Sequence, residues 1–225
     1  IRTQQVLDQA QHPTLESVPL LSRAASDAGA TQVRGRRDMA FITKAFELVD
    51  DNDHRALAIT MQAQGLDDAW TALLGSTLEV NRTVRSVNLN RNSIGDKGVA
   101  LLVKALYDNS SVEILSLGGN RLTDKAARSL ADLMRSGCSS LAALNLAGVA
   151  PPPVSIMQSG SGVKDALAGA CIRAPGAASL ALALGDPASS QGRLLLVLNL
   201  AFQRVWDAGA IALAAALQSP SCHLQ

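Results

Sequence analysis

Aromatic residues make up only 3% of the chain, three Phe, two Trp and one Tyr in 225 residues. So few leave little for a face built on aromatic anchors or on base stacking. Charge of one sign is missing too: the formal net charge is +1. No global field therefore favours nucleic acid or an anionic membrane, and no nucleic-acid partner is expected. No uninterrupted apolar run approaches the ~20 residues that a membrane-spanning helix needs, and no membrane insertion is expected. The longest candidate, Leu194 to Ala201, is broken by Asn199 and then by Gln203 and Arg204.

The three cysteines, Cys138, Cys171 and Cys222, form an odd, widely spaced set. Cys138 and Cys222 precede equivalent strand starts, where a small buried thiol suits a turn. No C-x-x-C or His pairing suggests a metal. A reducing, intracellular compartment is expected, cytoplasm or cilium foremost. An organelle stays open, because the chain starts at Ile1 and a targeting segment before it is not addressed by these residues. His12, His54 and His223 fall in three unrelated turns, and no G-x-S-x-G, H-E-x-x-H or phosphate-loop pattern occurs. No catalytic residue, metal or cofactor is expected.

What the chain does have is a sentence written several times. Val84-x-x-Val87-x-Leu89-x-x-Asn92-x-Ile94 recurs 28 residues later as Val112-x-x-Leu115-x-Leu117-x-x-Asn120-x-Leu122, and begins again as Leu141-x-x-Leu144-x-Leu146. The alternating L-x-L is a short strand with one buried face. The Asn after it can bond backbone groups that the bending chain leaves unpaired, and stacked copies can form a ladder. Behind it, Gly95 to Leu106 has apolar residues three and four apart, a helical face. Gly98 and Ala126 predict close helix–strand approach, and Asp108-Asn109-Ser110-Ser111 turns the chain back. Self-similarity at this period marks a stacked repeat protein.

VRSVNLNRNSIGDKGVALLVKALYDNSS and VEILSLGGNRLTDKAARSLADLMRSGCSS resemble the ribonuclease-inhibitor type of leucine-rich repeat. The resemblance implies an α/β leucine-rich-repeat solenoid, a curved parallel sheet on the concave side and helices on the convex side.

Pushing the register outward divides the chain. Residues 1–37 carry no repeat and are expected to be a poorly ordered or partner-draped arm, with an apolar patch at Val18-Pro19-Leu20-Leu21 and a basic cluster at Arg34-Gly35-Arg36-Arg37. Residues 38–55 are expected to hold a capping helix, stopped by Asp50-Asp51-Asn52-Asp53, a solvated turn that lacks the Gly and Glu of a calcium loop. The repeat domain spans 56–225, with repeats at about 56–83, 84–111, 112–140, 141–194 and 195–223. In the first, Gln64 takes the Asn place and Trp70 the place of Gly98. In the fourth, Val149 replaces the Asn, and Pro151, Pro152 and Pro153 forbid a helix at once. An insert at 149–175, with a short helical stretch from Val163 to Ile172, is expected before the helix resumes at Gly176. A decayed extra strand at Leu167-x-x-Ala170-x-Ile172 is the alternative. Gln203 takes the Asn place in the last repeat, whose helix is expected over 210–217, and Ser219 to Gln225 reads as the start of another strand. A capping partner, or more chain, is expected there.

The turn ladder is thus Gln64, Asn92, Asn120 and Gln203. The inner-face positions, such as Thr60, Asn88, Ser116, Asn145 and Asn199, include no charged and no aromatic residue. They cannot steer a charged ligand, so the inhibitory activity of ribonuclease inhibitor does not carry over. Contact candidates sit on the rim after each strand: Arg91, Arg121, Pro151, Pro152, Pro153, Phe202, Arg204 and Trp206. These suggest a non-catalytic protein–protein interaction scaffold, a structural subunit whose partners are other protein subunits. The resemblance also admits a RanGAP-like regulator of a small GTPase, using a loop arginine, or the repeat part of an immune-type receptor.

Overall fold

The computed structural model describes residues 57–136, 140–149, 170–186 and 195–225. The expected arm, the capping helix, Cys138 and Pro151–Pro153 lie outside the described residues. Five three-residue strands alternate with five helices: β1 (Ala58–Thr60), α1 (Asp68–Val80), β2 (Ser86–Asn88), α2 (Asp96–Leu106), β3 (Ile114–Ser116), α3 (Asp124–Arg135), β4 (Ala143–Asn145), α4 (Ala174–Gly185), β5 (Val197–Asn199) and α5 (Trp206–Leu217). The strands form one parallel sheet in sequence order. Ile59, Val87, Leu115, Leu144 and Leu198 are successive partners across it.

The sheet is parallel because every strand is followed by a helix that returns the chain to the same end. The core lies between the two layers. Val87, Leu115 and Leu144 from the strands, Leu89, Leu117 and Leu146 just after them, and Leu74, Leu102, Leu130 and Leu180 from the helices form one buried cluster. Each such leucine contributes about 1.5–3 kcal/mol by leaving water. At the last repeat the shelter ends: all three residues of β5 are only half-buried, and in α5 only Gly209 and Ala216 are fully buried. A stacked array leaves its terminal unit half-dressed in this way.

The repeats are also stitched by polar side chains. Asp68, Asp96 and Asp124 stand in the first turns of α1, α2 and α3. Each bonds the beginning of the next helix, not its own. Asp68 Oδ1 accepts from the N–H of Gly95 at 2.7 Å, Asp96 Oδ1 from Thr123 at 2.8 Å, and Asp124 Oδ1 from Arg173 at 2.7 Å. The helix starting after Gly95 and the one starting after Arg173 have no side-chain cap of their own. The neighbour's carboxylate supplies it, with the charge the helix N-terminus favours. Ala174 breaks the series, and α5 begins without a side-chain cap.

This contact corrects the expected reason for Gly98. A Cβ there would lie 2.6 Å from Asp68 Oδ1, and one at Gly176 would lie 2.6 Å from Asp124 Oδ1. The close approach is between neighbouring helix starts, not between helix and strand. At the array's beginning the geometry differs: Asp67 caps its own helix, bonding Ala69 and Trp70. Trp70, in the glycine's place, packs half-buried against the core.

The expected boundaries of the insert and of the last helix also shift. Ile172 is fully buried in the core, at the place of Ile94 and Leu122, and α4 begins at Ala174. The repeat therefore resumes earlier than the expected end of the insert at 175. Residues 170–172 are not helical. β4 pairs directly with β5, so no extra strand separates them. α5 begins at Trp206 instead of 210.

Candidate functional site

The rim is made by the connection from each strand to its helix. Its first turn places a residue of four of the five repeats in the left-handed region: Ala63 (φ 57°), Arg91 (φ 56°), Gly119 (φ 70°) and Phe202 (φ 59°). The backbone holds it there. The N–H of Ala63 bonds the carbonyl of Asn90, Arg91 bonds Gly118, Gly119 bonds Ala147 and Gly148 bonds Ala201. Arg91 and Phe202 are thus two members of one column, and Gly148 lies between their repeats. A Cβ on Gly148 would fall 2.5 Å from the carbonyl oxygen of Phe202. The root of the insert, Gly148–Val149, therefore leans on the Phe202 turn.

Behind that turn comes the amide ladder. Asn92 Oδ1 accepts from the N–H groups of Gln64 (3.0 Å) and Leu66 (3.1 Å), while its Nδ2 donates to the carbonyls of Met61 (2.8 Å) and Leu89 (2.9 Å). Asn120 repeats this one rung on, accepting from Ile94 and donating to Leu89 and Leu117. Gln203 reaches across the insert, accepting from the N–H of Ile172 at 2.8 Å and donating to the carbonyl of Leu146. Its longer side chain serves where Val149 has no amide to offer. Gln64 differs: its side chain donates only to its neighbour, the carbonyl of Gln62, at 3.3 Å.

Arg121 and Arg204 form a second column, their N–H groups bonding the carbonyls of Ile94 (2.8 Å) and Ile172 (3.0 Å). Cys171, half-buried with a free thiol, stands between them in sequence order of repeats. Arg173 and Arg204 pair as an isolated parallel bridge. The sequence pattern did not single out Arg173, because its register appears only once Ile172 is matched to Ile94. Phe202 is 60% exposed and Trp206 63%, so neither is buried under the described part of the insert, whose Val149 is itself 75% exposed. Phe202, Arg204 and Trp206 fall together on the last connection, with Arg121 and Arg91 on earlier ones. Alongside, α4 carries no charged residue and α5 only Asp207, yet Leu182, Ile211 and Leu217 are exposed.

A third set lies in the helix-to-strand turns, where the sequence placed Asp108-Asn109-Ser110-Ser111, and shows the bonds that close them. Asn81 and Asn109, 28 residues apart, close the helix-to-strand turns on the other side of the array. Asn81 Oδ1 accepts from Val84 at 2.8 Å, and Asn109 Oδ1 accepts from Val112 at 2.9 Å. Asn109 Nδ2 also donates to the carbonyls of Leu78 (2.6 Å) and Asn81 (2.9 Å) in the preceding repeat. Their shared spacing was the available signal.

The inner face is not evenly open. Asn88, Ser116, Ile114 and Ala143 are buried, whereas Asn145 and Asn199 are half-exposed. Among the described residues no group of His, Cys, Asp and Glu is placed to hold a metal ion, and no helix is long and apolar enough to cross a membrane.

Strand–helix units stacked in one parallel sheet, stitched by Asn and Asp between neighbours, define a repeat solenoid of the α/β class. It is a leucine-rich-repeat solenoid: the Leucine Rich repeat family matches residues 80–103 and 108–131. Two solved structures share the fold. Leiomodin-1 Actin-Binding Site 2 superposes with a TM-score of 0.54 at 15% identity, over 77% of this chain and 86% of that one. The tropomodulin C-terminal domain of Caenorhabditis elegans gives 0.53 at 14% identity, over 79% and 91%. No curated protein matches the chain significantly.

Proposed function

We propose that this chain is a non-catalytic protein–protein interaction scaffold of the ribonuclease-inhibitor repeat type, a structural subunit of a larger intracellular assembly. One observation carries the reading. The last repeat presents Phe202 and Trp206 beside an α5 helix, WDAGAIALAAAL, whose exposed positions include Ile211 and Leu217. A helix that is apolar all round belongs in a buried setting. Exposed apolar residues gathered on one repeat in this way point to an interaction site, with the exposed aromatics as its anchors.

The partner is a protein that covers α5 and the adjoining rim, with Arg121 and Arg204 as polar neighbours. The N-terminal arm, the capping helix and the proline turn at 151–153 stay part of this proposal. Leiomodin-1 carries an actin-binding site on the same fold, which makes actin the first candidate to try.

The test is affinity capture with the intact chain against the double variant Phe202→Ser/Trp206→Ser, alongside cosedimentation with filamentous actin. The reading predicts partners that the variant loses. Equal capture by both chains would remove the rim from the account. Faster GTP hydrolysis by a small GTPase, lost on changing Arg91, Arg121 or Arg204, would replace the scaffold by a regulator.

A further inference from the structure

From the end of each strand to the start of the next helix, the second to fifth repeats carry four charged residues among the described ones: Arg91, Arg121, Arg173 and Arg204. No Asp, Glu or Lys accompanies them there. A chain of formal net charge +1 thus gathers four positive charges on one edge. Among the described residues the lysines, Lys97, Lys104 and Lys125, stand in helices instead.

The backbone of each arginine is pinned while its guanidinium is unpaired. The N–H groups of Arg91, Arg121 and Arg204 bond the carbonyls of Gly118, Ile94 and Ile172, and that of Arg173 bonds Asp124 Oδ1. None of the four guanidinium groups has an ion pair or hydrogen bond among the described residues, where the ion pairs join Arg85 to Glu113 and Arg135 to Asp132. The carboxylates just behind the rim are already committed: Asp96 accepts from Thr123 and Ala126, and Asp124 from Arg173 and Gly176. Arg173 and Arg204 are direct neighbours in the register. Arg121 holds the place of Arg204 two repeats earlier, about 10 Å away at the spacing of parallel strands. Neighbouring like charges repel, and an anion set among them turns that cost into attraction.

Two features choose the kind of anion. A guanidinium fork matches the planar carboxylate, two parallel bonds at a time. The row of arginines also ends beside exposed Phe202 and Trp206 and beside α5, whose one charged residue is Asp207. A phosphate backbone carried past Arg204 would meet apolar surface and a carboxylate. A polypeptide can set apolar side chains there.

We propose that the partner engaged by this rim is an acidic protein segment, its carboxylates paired with Arg121, Arg173 and Arg204 and its apolar side chains set against Phe202 and Trp206. This rests on the scaffold reading above and adds the chemistry of the partner to it. The arginines speed the encounter and select an acidic partner, while the aromatics hold it.

The test follows, by fluorescence anisotropy, binding of the intact chain to a labelled peptide repeating Glu-Glu-Leu, with a Gln-Gln-Leu peptide and a single-stranded oligonucleotide as comparisons. Binding of the acidic peptide is expected to weaken roughly tenfold or more in Arg121→Gln/Arg173→Gln/Arg204→Gln, with helical circular dichroism unchanged. It is expected to hold in Lys104→Gln/Lys125→Gln/Arg128→Gln, which removes as many charges from the helices. The parent chain is expected to bind the Gln-Gln-Leu peptide roughly tenfold more weakly or worse, a comparison that needs no variant to fold. Equal binding of the two peptides, an equal loss in both triple variants, or tighter binding of the oligonucleotide would overturn the assignment. In affinity capture, partners lost with Phe202→Ser/Trp206→Ser but kept by the arginine variant would overturn it too, and would leave the scaffold reading standing. Partners kept by both variants would remove the rim itself.

Discussion

Asp96 holds the start of the next repeat: its Oδ1 accepts from the N–H groups of Thr123 (2.8 Å) and Ala126 (3.2 Å), and its Oδ2 from the Thr123 hydroxyl (2.6 Å). Asp96→Ala leaves all three donors without this acceptor. The expected cost is about 1–3 kcal/mol, measured by denaturant unfolding. Asp207, at the equivalent place in α5, has no such neighbour among the described residues, so Asp207→Ala is expected within about 0.5 kcal/mol of the parent.

Two helical glycines separate a steric requirement from a helix-propensity cost. A Cβ at Gly75 meets its nearest atoms at 3.4 Å or more, whereas one at Gly98 meets Asp68 Oδ1 at 2.6 Å and the Asp68 backbone at 3.1 Å. Gly75→Ala is therefore expected to stabilise by about 0.5–1 kcal/mol through lower chain entropy. Gly98→Ala is expected to destabilise by about 1–3 kcal/mol, because it forces neighbouring helix starts apart. Thermal melts of the two variants, run side by side, check the opposite signs.

The strand pattern, the parallel order and the amide ladder were legible because the first four strands recur at 28 or 29 residues, each with an apolar alternation and the first three followed by an amide. The carboxylate stitch was not. Asp68, Asp96 and Asp124 look from the sequence like first-turn residues serving their own helices, and only the packing shows the bond crossing to the next one. The same blindness displaced the end of the insert. Gly176-Ala177-Ala178 matched a helix well, while Ile172 was recognisable as a repeat residue only by its burial. Rim residues could be chosen by position in the repeat. Their exposure could not, since covering depends on what the insert does.

Asn92 ties two repeats through four backbone groups, so its loss should exceed that of an ordinary surface amide. Asn92→Ala strands the carbonyl of Met61 and the N–H groups of Gln64 and Leu66, while the Leu89 carbonyl keeps the Asn120 amide, at a cost of more than about 2 kcal/mol. Asn92→Asp is expected to be no better. It keeps an acceptor for the two N–H groups but sets a carboxylate against two carbonyl oxygens. Urea titrations of both variants give the comparison.

Phe202 is held at φ +59° and is 60% exposed, an arrangement that a stable fold alone gives no reason to keep. Phe202→Gly removes the strain, about 1 kcal/mol, and is expected to raise stability by a few tenths to about 1 kcal/mol. The same change is expected to weaken partner capture. Stability and binding moving in opposite directions would mark the residue as a contact; the two falling together would mark it as structural.

Backbone hydrogen exchange on the intact chain tests most directly that stability comes from neighbouring repeats sheltering one another. The account predicts the slowest amides at Leu89 and Leu117, which bond Ser116 and Asn145 in the interior of the array, with faster exchange at Leu196 and Gln225 toward its C-terminal edge. Exchange at one common rate along the array, or fastest in its interior, would contradict it.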